Sequence, residues 1–176
     1  MSTVSEFLRT SMSGLHTFID QAVKDLTPEQ VHWLPPDTAL NHIGNTLWHY
    51  VRTEDNVIQF VLQDRKPTVW VERGLHEKFG LHKVAQGTGM STEDAQAMRL
   101  PAMDEWMEYQ QGVWQASDAY LADIDEAELD RVRTVNPFGE LSAAAAMSRT
   151  CLTHGHAHFG EICIMRGLQG LPSTLV

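Results

Sequence analysis

The stretch "THGHAHFGEI", residues 153–162, sets three histidines within five positions: His154, His156 and His158. It lies in a run from 143 to about 166 that reads as a helix. "SAAAAM" opens the run with strong helix formers, and Gly167 and Gly170 can end it. On a helix, residues four apart stack on one face, so His154 and His158 belong together. His156, two residues from each, points to roughly the opposite side. Met147, Cys151, Ile162 and Met165 continue the face of His154 and His158, which makes it the apolar, inward face. An inward face needs other helices to pack against.

Three further segments supply them. Leu8, Met12, Leu15, Ile19, Ala22 and Leu26 alternate spacings of four and three, the mark of an amphipathic helix. Thr3 with Glu6 forms a capping box at its start, and Pro28 in "LTPEQ" stops it. A second run spans about 38–63 after "PPD", with Leu40, Ile43, Leu47, Ile58 and Val61 on its apolar face. The third begins near Pro101, a residue favoured in a first turn, and continues through Trp106, Val113, Trp114 and Leu121 to Ile124. "PTVWVE" is the one candidate strand, too isolated to build a sheet. The expected fold is all-α, a four-helix bundle in one domain spanning residues 1–176.

Residues 64–100 break the pattern, because connections beyond about 15 residues are uncommon and usually functional. This one holds Trp70, Leu75, Phe79 and Leu81, so it is expected to pack, and Ser91 with Asp94 suggests a short helix inside it. Such a connection can cross the length of the bundle, so that helix three runs parallel to helix two, and can also cover a site.

A formal net charge of −10 argues against nucleic acid or an anionic membrane as partner, since both need clustered Lys and Arg. Cys151 and Cys163, twelve apart on one helix, are separated by roughly 18 Å and cannot bridge. "MSTVSEFLRT" lacks the pattern of a signal peptide, and no apolar run approaches 18 residues, so a cytoplasmic protein is expected. "GTGM" lacks the preceding strand and following Lys of a phosphate loop, and there is no nucleophile elbow.

Two inward histidines one turn apart have the spacing that grips one metal ion, and such a site needs a third ligand. Helix two offers His42 and His49. His49, mid-helix beside Leu47 and Trp48, is the better candidate, because an unpaired imidazole there is costly. His42 lies near the helix start, where solvent can satisfy it. The alternative is that His49, His154 and His158 are hydrogen-bonded core histidines. Asn45 and Glu161 are within helical reach of the second ring nitrogens of His49 and His158. Glu161 is also the candidate general base, or a solvated carboxylate. Glu54 and Asp55 fall off the face of His49 and are expected to pair with Arg52 or meet solvent. Cys151, one turn before His154, is a soft fourth ligand or a small core residue. Trp70 packs the loop or caps the pocket.

"NTLWHYVRTED", "GTGMSTED" and "THGHAHFGEICIMRGLQGLP", in this order and spacing, resemble the DinB/YfiT-like superfamily of metalloenzymes. The resemblance implies a bundle with up-down-down-up topology and a divalent metal held by His49, His154 and His158. Gly160 fits the small residue that follows the last ligand, whereas Phe159 and Glu161 depart from the basic residue and Gln that many members carry there. It implies a metal-dependent enzyme on a small-molecule substrate, of the thiol S-transferase or thiol-dependent isomerase type, with a low-molecular-weight thiol as cosubstrate. A metal-dependent hydrolase, or a non-catalytic, metal-stapled binding or stress protein, are the alternatives. The ion is left open among zinc, nickel and iron, and exposed apolar helix faces suggest a homodimer.

Overall fold

The structure, a computed structural model, describes residues 3–172. Its elements are α1 (Val4–Val23), the short α2 (Pro28–Val31), and α3 (Ile43–Asp55), which runs on into a π-helical turn, Asn56–Val61. The connection carries α4 (Val69–Glu72), α5 (Leu75–Lys78) and α6 (Thr92–Ala97). Then come α7 (Met103–Asp123), α8 (Glu126–Asp130) and a hairpin of β1 (Val132–Val135) and β2 (Gly139–Ser142). Finally α9 (Ala143–Met147) passes through a second π-helical turn, Ser148–Thr153, into α10 (His154–Leu168).

Helix starts follow side-chain chemistry. The hydroxyls of Thr3, Ser91 and Ser142 accept the backbone N–H three residues on, as N-caps do. The second long helix begins at Ile43, five residues later than its apolar periodicity suggests. Asp37 adopts a left-handed turn (φ 52°) after Pro35 and Pro36, and His42 stays extended as the cap. His42 is fully buried: Nδ1 accepts from the Asn45 N–H (3.0 Å) and Nε2 donates to the Met98 carbonyl (3.0 Å). Protein groups, not solvent, therefore satisfy this imidazole. At the other end of the chain, Gly170 (φ 72°) turns the backbone out of α10, and the Leu171 N–H caps the Arg166 carbonyl.

Side-chain contacts fix the directions of the four long helices. Arg166 near the end of α10 pairs with Asp25 just past α1 (2.9 Å), so these two run parallel. Asp20, late in α1, accepts from Gln110, Gln111 and Trp114, early in α7. Leu8 and Met12 share a core cluster with Leu121, so α1 and α7 are antiparallel. Near the start of α10, His154 meets His49 of α3 (3.1 Å), while α9 packs on the π turn that ends helix two. Those two are therefore antiparallel as well. The order is up-down-down-up, and the long connection returns the chain so that helix three runs alongside helix two.

Two apolar clusters fill the interior, one around Trp48, Trp70, Trp106 and Trp114, the other around Met12, Ile58, Met147 and Cys151. Two carboxylates are buried alongside them, each hydrogen-bonded as burial demands. The Glu54 carboxylate accepts from Tyr50 (2.7 Å), Ser117 (2.6 Å) and His16 (3.0 Å). Asp55 accepts from the backbone N–H groups of Val69 (2.9 Å) and Trp70 (3.0 Å) and from the Tyr109 hydroxyl (3.0 Å). Both carboxylates are buried, so neither meets solvent; Asp55 pairs with Arg52 (3.5 Å), as expected, and also pins the long connection to the bundle. Trp70, fully buried, is part of that anchor, with the Arg52 guanidinium over its ring at 5.0 Å. "PTVWVE" is thus the helical start of the anchor rather than a strand.

The hairpin is what periodicity misses. Val132 pairs with Ser142 and Val135 with Gly139, across a turn containing a cis peptide bond at Asn136–Pro137. Four-residue strands are too short to show a convincing alternation. Among the described residues, no helix is long and apolar enough to cross a membrane.

Candidate metal centre

His49 comes from α3 and His154 and His158 from α10, and packing at Gly155 sets their approach. A Cβ on Gly155 would lie 2.6 Å from Leu15 Cδ2 and 2.6 Å from Tyr50 Cε2. Only glycine lets α10 close this far on α1 and α3, one residue from His154 and one from His49. The π turn Ser148–Thr153 also matters, because it breaks the α-helical phase assumed in extending one face from Met147 through His158. The buried face of α10 is Gly155, Phe159, Ile162, Met165 and Arg166. His154 and His158 sit half-buried at its edge rather than in the core, and His156 is exposed.

The ligand-bearing atoms of the three histidines lie within 4.8 Å of one another. His154 Nε2 is 2.8 Å from His158 Nε2 and 3.1 Å from His49 Nε2. The opposite ring nitrogens all have acceptors. His49 Nδ1 donates to the Gln86 carbonyl, His154 Nδ1 to the Thr150 carbonyl (3.2 Å), and His158 Nδ1 to the Glu161 carboxylate (2.7 Å). Those acceptors place each neutral ring's proton on Nδ1, leaving three Nε2 lone pairs aimed at one another. Close approach of three lone pairs with no proton between them is repulsive, and a cation among them removes the repulsion. Two nitrogens each about 2.1 Å from one ion are at most about 4.2 Å apart, so the contacts seen are compatible with shared coordination. The donor set could therefore hold a metal ion.

Electrostatics favour the neutral form of His49 and His154, the form that coordination requires. Burial pushes the His49 pKa below the ordinary imidazole value. Burial, reinforced by His158 and His49, pushes His154 down to about 4. The hydrogen bond from His158 holds the Glu161 carboxyl below the usual carboxylate range.

The cluster forms part of the wall of a cavity of about 750 Å³, a size that suits a small molecule. The connection contributes Gln86 to Met90, the hairpin contributes Thr134 to Phe138, and the two π turns contribute Asn56, Phe60, Arg149 and Thr150. Gly87 (φ 85°) is needed for the first of these walls, since a Cβ there would meet Trp48 at 3.0 Å and His49 Nδ1 at 3.4 Å. The 64–100 connection thus both crosses the bundle and covers the site.

Of the residues singled out from sequence, His49, His154 and His158 come together, and Glu161 is at His158. Glu161 approaches from behind the ligand and does not line the cavity, so the geometry gives it an orienting position. Asn45 lines the cavity, yet its amide contacts Met90 Sδ rather than His49. Cys151 is buried in the second core cluster, outside the group of ligand atoms, and forms no disulfide. Trp70 belongs to the core and does not line the cavity. Sequence reasoning missed the Gln86 and Thr150 carbonyls, Gly155, Arg149 and the hairpin wall. Only "GTGM" carried a signal, through its glycines.

A search of curated proteins finds no match. Among solved structures, the chain resembles the crystal structure of a conserved protein from Enterococcus faecalis, with a TM-score of 0.80 and 16% identity. The likeness covers 96% of this chain and 98% of that one, and at this identity it speaks to the fold. The family model of the DinB superfamily matches residues 18–162, a span that takes in all three histidines and the whole connection between helices two and three. The chain belongs to the DinB superfamily.

Proposed function

We propose that His49, His154 and His158 hold one divalent ion and that the protein is a metal-dependent enzyme acting on a small molecule. The thiol S-transferase or thiol-dependent isomerase type fits best. One observation carries this reading: the Nε2 atoms of three histidines converge at the wall of a cavity rather than in a sealed core. A site of three histidines facing open space keeps positions for substrate, whereas a structural staple is closed by a fourth protein ligand.

A bound ion would supply Lewis acidity, drawing the pKa of a coordinated thiol or water into the working range. The chain's own residues do the rest. The Gln86 and Thr150 carbonyls and the Glu161 carboxylate hold the proton of each ring at Nδ1, which keeps Nε2 available and the rings fixed. Glu161 is a positioning residue in this account. Val57, Phe60 and Met90 give the cavity apolar walls that exclude water, while Asn45, Thr46 and Asn56 offer neutral hydrogen-bonding groups. No cysteine lines the cavity among the described residues, so the thiol is a diffusible low-molecular-weight cosubstrate. Zinc, nickel or iron would serve as the ion. Exposed Phe7, Phe18, Ile164 and Leu168 on α1 and α10 support extending the proposal to a homodimer.

The test is to load the protein with cobalt and add a low-molecular-weight thiol such as cysteine. The reading expects a sulfur-to-cobalt charge-transfer band and metal-dependent conjugation of the thiol to monobromobimane. Ester hydrolysis without thiol binding would replace it by the hydrolase. Unfolding on metal removal, with no thiol band, would replace it by the staple.

A further inference from the structure

We infer that the cavity takes a small organic carboxylate, its anionic end held by Arg149 while its reacting end lies at the three histidines. The inference rests on the metal-site reading above and names the substrate class of that same site.

The charge pattern of the cavity is the first support. The chain carries 23 acidic residues and a formal net charge of −10, yet no Asp or Glu lines this cavity among the described residues. Its single Lys or Arg is Arg149, the rest of the lining being apolar or neutral polar apart from the histidines. A wall cleared of carboxylates and given one guanidinium favours an anion locally, against the repulsion of the protein as a whole.

Backbone geometry supplies the second. Arg149 lies five residues before His154, and in an unbroken α-helix that step would turn it well away from the histidine face. The π turn alters this, because the His154 N–H bonds to the Arg149 carbonyl and closes a five-residue turn. Arg149 and Thr150 thereby line the same cavity as His154 and His158. At about 1.5 Å per residue, the guanidinium's anchor lies roughly 7 Å along the axis from His154, a span that a short carbon chain bridges.

The side chain is also held ready. Its guanidinium carbon lies 3.9 Å from the centre of the Phe138 ring, which supports one face of the plane and leaves the edge N–H groups for a ligand. Arg149 has no hydrogen bond or ion pair among the described residues. One guanidinium edge matches the two oxygens of a carboxylate. A dianionic phosphate would bring a second charge for which the lining holds no second cation.

Succinate monohydroxamate and butyrohydroxamate test this, since both offer the same metal-binding group and only the first ends in a carboxylate. Each is titrated into cobalt-loaded protein and followed by the visible spectrum. The wild type is expected to bind the carboxylate ligand about tenfold more tightly. Arg149→Met should erase that preference while leaving butyrohydroxamate affinity unchanged, and Arg149→Lys should retain part of it. Equal affinities in the wild type, or a preference that survives in Arg149→Met, would overturn the inference alone. Failure of both ligands to alter the spectrum of the loaded protein would overturn the open metal site and this inference with it.

Discussion

Gly155→Ala sets two effects of opposite sign against each other. Within an α-helix, alanine is more favourable than glycine by about 1 kcal/mol, so propensity alone stabilises the variant. Packing opposes this. The new methyl would lie 2.6 Å from both Leu15 Cδ2 and Tyr50 Cε2, whereas carbon atoms in contact sit about 3.5–4.0 Å apart. Leu15 can shift a methyl, but Tyr50 cannot swing, because it is fully buried and its hydroxyl is tied to Glu54 at 2.7 Å. Helix α10 must therefore retreat by about 1 Å, and overpacking of this kind costs about 1–3 kcal/mol. Overpacking wins, and a net loss of about 1 kcal/mol is expected in urea unfolding of the metal-free protein. The retreat also carries His154 from His49. Coordination distances tolerate only about 0.2 Å, so zinc affinity in a competition titration should fall at least tenfold. Gly160→Ala is the control on the same helix, where a Cβ meets nothing within 4 Å. It should gain about 1 kcal/mol and bind zinc as the wild type does. A Gly155→Ala variant as stable as Gly160→Ala, with unchanged zinc affinity, would refute the claim that this contact sets the site.

Glu161→Ala removes the carboxylate that orients His158; zinc affinity should drop about tenfold to a hundredfold. Its metal-free stability should move by less than about 0.5 kcal/mol, because the side chain is half exposed. Removing His16 leaves the Glu54 carboxylate buried with only its hydroxyl partners, so His16→Ala should cost about 3–5 kcal/mol in urea unfolding. Burial holds His42 at about 4 rather than the ordinary 6.5, and His154 falls to about 4 likewise. Below pH 6.5 the unfolded chain takes up protons that the folded metal-free protein refuses, so stability is full above that pH and declines towards pH 4. His42→Asn, which keeps a capping acceptor, should flatten part of that decline in urea midpoints measured across the range.

The four long helices are legible because each carries apolar residues at helical spacing, and His154 with His158 follow from the same arithmetic. What escaped was set by tertiary contact. The π turns leave no periodic trace, so periodicity carries the phase of Met147 straight on to His154 and puts the histidines on the inward face rather than at the edge of a cavity. Proximity to a helix start suggests a solvated His42, but the connection folds over it and brings Met98 to its ring. Backbone carbonyls such as those of Gln86 and Thr150 belong to every residue and carry no signature. Arg149 reads as an ordinary surface residue until the hairpin brings Phe138 beside it.

The most direct measurement is metal content by elemental analysis after purification in metal-replete medium, for wild type, His49→Ala, His158→Ala and His156→Ala. The account predicts about one divalent ion per chain in the wild type and in His156→Ala, whose side chain is exposed and outside the cluster. It predicts loss of the ion in the other two, with the helical spectrum retained. A metal-free wild type under these conditions, or an ion that persists in His49→Ala and His158→Ala, would contradict it.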